Sequence, residues 1–152
     1  MLRPRLLALL ALCGFASARA EDLAIVVAHA VPIENLTLEE LRAVFLMEKA
    51  VVNGTKLSIL MREKTAPERA AILKSVYQMS KTQYEAYFLQ ATFTGLISAG
   101  PRLIPSSMAL KKIVVGSPGA IGYVVASAVD ASVKVVKIDG RSPGDPQYPL
   151  KL

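Results

Sequence analysis

The sequence has little of what most site chemistry is built from. Its 152 residues include one cysteine, one histidine and no tryptophan. The cysteine, Cys13, lies in an N-terminal apolar stretch, so the rest of the chain offers neither a disulfide nor a thiol nucleophile. A transition-metal site needs clustered His, Cys or carboxylates, and His29 has no such company, so no metal and no cofactor is expected. No G-x-x-x-x-G-K phosphate loop occurs, and the one G-x-S-x-G string, Gly140 to Gly144 round Ser142, lies in the proline-rich tail with no helix pattern after it, so it does not read as a nucleophile elbow. His29 follows a strand end, where α/β folds place functional groups, and a lone base there is the one route to a hydrolase. The plainer reading of it is a solvated loop histidine. Asp22, Asp130, Asp139 and Asp145 fall in predicted loops or strand ends, and none shares a motif with another carboxylate. No catalytic residue is expected, and no enzymatic activity.

A strong charge of one sign is missing as well. The balance is 18 Lys+Arg to 12 Asp+Glu, and Arg3, Arg5 and Arg19 lie within residues 1–20, where no acidic residue does. The remainder carries about +3, scattered, with no basic run and no interleaved aromatics, which speaks against a nucleic-acid partner. Residues 1–20 themselves have a basic start, an apolar run over 6–16 and an A-x-A ending at Ala20, the layout of a secretory signal peptide. Eleven helical residues rise only ~16 Å, about half a bilayer core, so a membrane span is not expected. Cleavage after Ala20 and a periplasmic location are. Lipidation at Cys13 is the alternative, and the bulky Leu12 before it argues against that.

What is present has α/β periodicity. The run 23–28 (LAIVVA) is continuous, β-branched and apolar, as in a buried strand. Thr37 and Glu40 form a capping box, and Leu38, Leu41, Val44 and Phe45 follow at helical spacing, predicting a helix over 38–47. Asn53-Gly54 marks a turn, and 56–61 reads as a second strand. Thr65 followed by Glu68 repeats the cap signature, with Ile72, Leu73, Val76 and Tyr77 lining a helix over 66–78. Ser80 and Gln83 open another helix to Phe93, whose inward stripe is Tyr84, Tyr87, Phe88 and Ala91; that stripe reads as core with phenol oxygens reaching the surface. Residues 95–105 read as loop, Ser106 or Ser107 as the cap of a short helix closed by Gly116, and 119–125 and 133–138 as strands. Three prolines after Gly140 suggest an extended or mobile tail over 140–152. The expected architecture is one α/β domain over 21–139, with helices packed round one sheet.

One constellation points to a ligand. Arg62 follows the strand 56–61, Thr65 is placed to cap the next helix, and Arg69 lies near its first turn. A helix N-terminus exposes unpaired N–H groups and a positive dipole end, and two guanidiniums and a hydroxyl would complete a site for a tetrahedral oxyanion. A capped surface helix with solvated arginines is the alternative reading of the same residues.

Read in order, DLAIVVA, LTLEELRAVFLMEK, Asn53-Gly54, ILMREKTAPERAAIL, YEAYFLQATFTG and SPGAIGYVV resemble the phosphate-binding-protein-like domain of periplasmic ABC-transporter substrate-binding proteins, in particular its short single-lobe members. The resemblance spans residues 22–138. It implies a single lobe of a periplasmic-binding-protein-like fold, in the order β-α-β-α-α-α-β-β round one sheet. It also implies phosphate or a similar oxyanion as ligand at Arg62, Thr65 and Arg69, with a membrane transporter or a second protein lobe as partner. In the family the corner is Gly/Ser/Thr-rich; here Glu63-Lys64-Thr65-Ala66-Pro67 replaces it. That substitution and the one-lobe length support a second reading, a ligand-free interaction module docking on an envelope or sensor protein.

Overall fold

The computed structural model describes residues 21–152; the predicted signal peptide, with Cys13 and Ala20, lies outside them. The first strand, β1 (Leu23–Val27), explains its own composition. Leu23, Ile25 and Val27 face one hydrophobic core, while Ala24 and Val26 face a second. A strand buried on both faces has no polar alternation to show, hence the unbroken apolar run.

The elements that follow are β2 (Asn35–Leu36), α1 (Leu38–Phe45), β3 (Val51–Val52), β4 (Thr55–Lys56), β5 (Ser58–Arg62), α2 (Pro67–Ile72), α3 (Lys81–Phe93), β6 (Arg102–Ile104), α4 (Ser107–Gly116), β7 (Ala120–Val125) and β8 (Lys134–Ile138). Six strands form one mixed sheet in the order β2-β8-β1-β7-β5-β6. β1 runs antiparallel to β7 and β8, whereas β5 is parallel to both β7 and β6. The larger core, on one face, takes Leu41, Val44 and Phe45 of α1, Ile72 of α2, and Tyr84 and Phe88 of α3. The smaller core, on the other, takes Leu110 and Val114 of α4. The result is the expected α/β layering.

Local chemistry accounts for most boundaries. Thr37 and Ser80 each form a complete capping box, and the Ser106 side chain accepts from the Ala109 N–H at the start of α4. α3 ends in a Schellman turn, in which the Leu96 N–H donates to the Ala91 carbonyl and the Gly95 N–H to the Thr92 carbonyl, with Gly95 at φ 76°. β3 and β4 pair as a hairpin round Asn53-Gly54, so Lys56 belongs to the hairpin and the strand expected over 56–61 runs from Ser58 to Arg62. Gly119, at φ 99°, presses its backbone against this hairpin. Its carbonyl accepts from the Ser58 N–H at 2.8 Å, and a Cβ there would stand 2.5 Å from the Lys56 oxygen.

Three expectations are corrected. Residues 95–105 are not all loop: Arg102–Ile104 add β6 at the sheet edge, where the flanking Pro101 and Pro105 cost no ladder bond. The helix expected over 66–78 is α-helical only to Ile72 and continues as one π-turn over Leu73–Tyr77, which stops at Gln78 in the left-handed region. The tail over 140–152 is folded back rather than extended. Tyr148 and Leu150 bury in the larger core, the Tyr148 hydroxyl donates to the Leu23 carbonyl, and the Lys151 ammonium pairs with Asp22 at 2.7 Å. Burying two large apolar side chains outweighs the extended preference of the prolines. Among the described residues no helix is long and apolar enough to cross a membrane.

Candidate functional site

β5 lies between β7 and β6, so its last residue, Arg62, emerges beside the starts of α2 and α4. The Arg62 backbone N–H donates to the Tyr123 hydroxyl at 3.0 Å, tying the corner to the Gly-Ala-Ile-Gly-Tyr run of β7. Its guanidinium donates to Ser107 Oγ at 3.0 Å and to the Pro105 carbonyl at 3.2 Å, and stands 3.6 Å from a carboxylate oxygen of Glu68. Arg62 Nε and the second Glu68 oxygen, Oε2, are buried without a hydrogen-bond partner among the described residues.

Arg69 points the other way. It is 3% exposed, donates to the Arg62 carbonyl at 3.1 Å, and holds its guanidinium carbon 4.9 Å from the centre of the Tyr84 ring. Behind it the aromatic residues pack edge to face, Tyr77 against Tyr84 at 4.9 Å and against Phe45 at 5.9 Å. The Tyr77 hydroxyl donates to the Phe45 carbonyl at 2.9 Å. Burial pushes the Tyr77 and Tyr123 phenols well above the ordinary tyrosine range and raises Tyr84 too, and Arg69 opposes this only in part.

Of the three residues expected to form the site, the structure joins Arg62 to Arg69 and leaves Thr65 on the exposed turn. Thr65 is not the cap of α2. The N-cap is Ala66, whose side chain has nothing to cap with, because Pro67 fixes the first helical residue one step later than the Thr-x-x-Glu signature suggests. Nor are the arginines solvated on a surface helix. Arg69 occupies the same helical stripe as Ile72, Leu73 and Val76, at i, i+3, i+4 and i+7, a spacing readable in the sequence and sufficient to turn it inward. Glu68, Ser107 and Tyr123 complete the corner and were not anticipated as site residues. The pairing of β5 with β7 and β6, which brings them there, leaves no local mark in the sequence. The aromatic stripe is core as read, though the Tyr87 hydroxyl donates to the Leu46 carbonyl instead of reaching out. His29 is exposed in its loop, its Nε2 2.7 Å from the Ala131 carbonyl oxygen. No group of three metal-ligating side chains converges among the described residues.

No family model matches the sequence. Solved structures do match. An ABC-type phosphate transport receptor from Vibrio cholerae is 22% identical, with a TM-score of 0.66 over 81% of this chain and 48% of its own. A putative phosphate ABC transporter substrate-binding protein with bound phosphate from Clostridium perfringens gives the same identity and TM-score, over 81% and 47%. PstS from Borrelia burgdorferi is 18% identical, with a TM-score of 0.68 over 86% and 54%. The chain has the periplasmic-binding-protein fold. It spans about half the length of these phosphate receptors, so what it shares with them is a single lobe. At these identities the likeness carries the architecture, and the ligand has to be argued from the lobe's own residues.

Proposed function

We propose that this lobe is a periplasmic, non-enzymatic solute-binding domain that takes phosphate or a similar small oxyanion at the Arg62 corner, as part of phosphate ABC transport. The observation that carries the reading is the Arg62 guanidinium, nine-tenths buried with an unpartnered Nε, beside the positive N-terminal end of α4 and the Ser107 hydroxyl. Arg62 is the contacting cation in this reading, Thr65 supplies a hydroxyl from the rim, and Arg69 holds the Arg62 backbone from behind. The fold shared with phosphate receptors, one of them with bound phosphate, supports the choice of ligand. A single lobe leaves the anion half-solvated, so affinity is modest unless a transporter or a second lobe completes the enclosure.

Calorimetry on residues 21–152 with phosphate and with sulfate tests this. A saturable heat that Arg62→Gln removes and Thr65→Ala weakens is expected. Heats equal to buffer, or binding unchanged in Arg62→Gln, overturn it.

A second reading follows from Glu68. Its carboxylate already stands beside Arg62, in the place an anion would take, which suits a lobe that keeps the fold and docks on an envelope or sensor protein. Recovery of a stoichiometric partner from envelope extract, together with no anion heat, favours this alternative.

A further inference from the structure

α3 is apolar on two opposite faces. Tyr84, Phe88 and Ala91 are buried against the larger core, and directly across the helix Thr82, Ala86, Leu89 and Phe93 recur at spacings of four, three and four. These four are exposed, Leu89 at 73% and Phe93 at 90%. A single-layer surface helix normally turns a polar face outward. Glu85, the one charge beside the stripe between Thr82 and Phe93, is paired with Lys64 of the same chain at 3.4 Å.

We infer that this outer face of α3 is a self-association surface, and that its occupant is α3 of a second copy packed antiparallel about a two-fold axis. The stripe is graded, with small Thr82 and Ala86 at its N-terminal half and large Leu89 and Phe93 at its C-terminal half. An antiparallel partner sets Phe93 over Thr82 and Leu89 over Ala86, filling each small position twice by symmetry. A parallel partner would stack the two phenylalanines and leave the small end hollow. The antiparallel arrangement also places Glu85 level with the uncharged 89–93 turn of the partner rather than with its own copy. The stripe offers on the order of 500 Å² per copy. Two copies therefore bury roughly 1,000 Å², the lower bound of a specific interface, which predicts a reversible dimer.

Sedimentation velocity over a concentration series tests this on residues 21–152, which hold the whole sheet and both cores. The protein is expected to shift from monomer to dimer with concentration. Phe93→Glu and Thr82→Lys should each weaken the dimer by at least about tenfold with an unchanged circular dichroism spectrum. An equimolar mixture of the two variants should regain association. Only the antiparallel register sets position 82 of one copy against position 93 of the other, where the introduced ammonium meets the introduced carboxylate. A monomer at all concentrations, a dimer indifferent to Phe93→Glu, or a mixture that stays monomeric overturns the inference.

Discussion

The Arg62 corner and the outer face of α3 are opposites. The corner holds two arginines and a glutamate that are almost wholly buried and largely engaged with one another. The α3 face holds two large apolar side chains, Leu89 and Phe93, that stand mostly exposed among the described residues. The corner is the region the sequence pattern marks for a ligand, yet most of its polar groups answer to the fold. The α3 face carries no motif, yet it is where the fold leaves its interactions unmade. A charged residue near a helix start says nothing of which way it points; burial and partners decide whether it serves a ligand or a lattice of internal bonds.

The comparison breaks first at Arg69. If the corner is part of the structural frame, Arg69→Ala removes a charged hydrogen bond to the Arg62 carbonyl and the packing on Tyr84, and leaves a hole in the packed interior. The expected loss is about 4 kcal/mol of stability, read as the shift in urea midpoint at constant slope. A loss below about 1 kcal/mol would show that the buried guanidinium is a spectator.

Alkaline pH is the next lever, because the tyrosines behind the corner titrate high. Their unfolded-state value is 10.0, and burial raises the folded-state values of Tyr77 and Tyr123 far above it. Their contribution is intact below pH 10 and is lost as pH rises beyond it toward the folded values, because the unfolded chain can ionise and the folded one cannot. By pH 11 the two together cost about 3 kcal/mol. Chemical denaturation at pH 9, 10 and 11 should show the decline, and Tyr77→Phe should flatten it. An identical slope in that variant would place the alkaline transition elsewhere.

Glu68 separates the two readings of function with a smaller effect. Glu68→Gln keeps the shape and removes the negative charge 3.6 Å from Arg62. If an oxyanion binds there, phosphate affinity rises by about tenfold, or ~1.4 kcal/mol, since a competing carboxylate is gone. If the corner is only a strut, the variant loses stability and calorimetry with phosphate stays flat.

Much of the lobe was legible because its elements carry local signatures. Thr37 with Glu40, Ser80 with Gln83, and the 23–28 run each announce one element through spacing and side-chain chemistry that act within a few residues. β6 was hidden because three residues between prolines form a strand only when β5 is already alongside. The folded tail was hidden because Tyr148 and Leu150 find their partners at the far end of the chain, on β1. At the corner, Thr65 misled because Pro67, two residues later, moves the cap; Arg69 misled because its type outweighed its place in the Ile72–Val76 stripe. The contacts of Glu68, Ser107 and Tyr123 to Arg62 arise from strand order, which no window of sequence contains.

Phe93 gives the smallest effect on stability, and for that reason the clearest one on the comparison. A residue 90% exposed contributes almost nothing to folding, so Phe93→Ser should change the unfolding free energy by no more than about 0.5 kcal/mol. The same substitution should abolish concentration-dependent association, because the ring is the largest apolar element of the stripe. Measured together at low concentration, where the monomer dominates, urea midpoint and sedimentation coefficient distinguish two kinds of surface. Folding unchanged with association lost means the α3 face exists for a partner copy. Folding lost with it would mean that Phe93 already packs within its own chain, and the contrast with Arg69 would disappear.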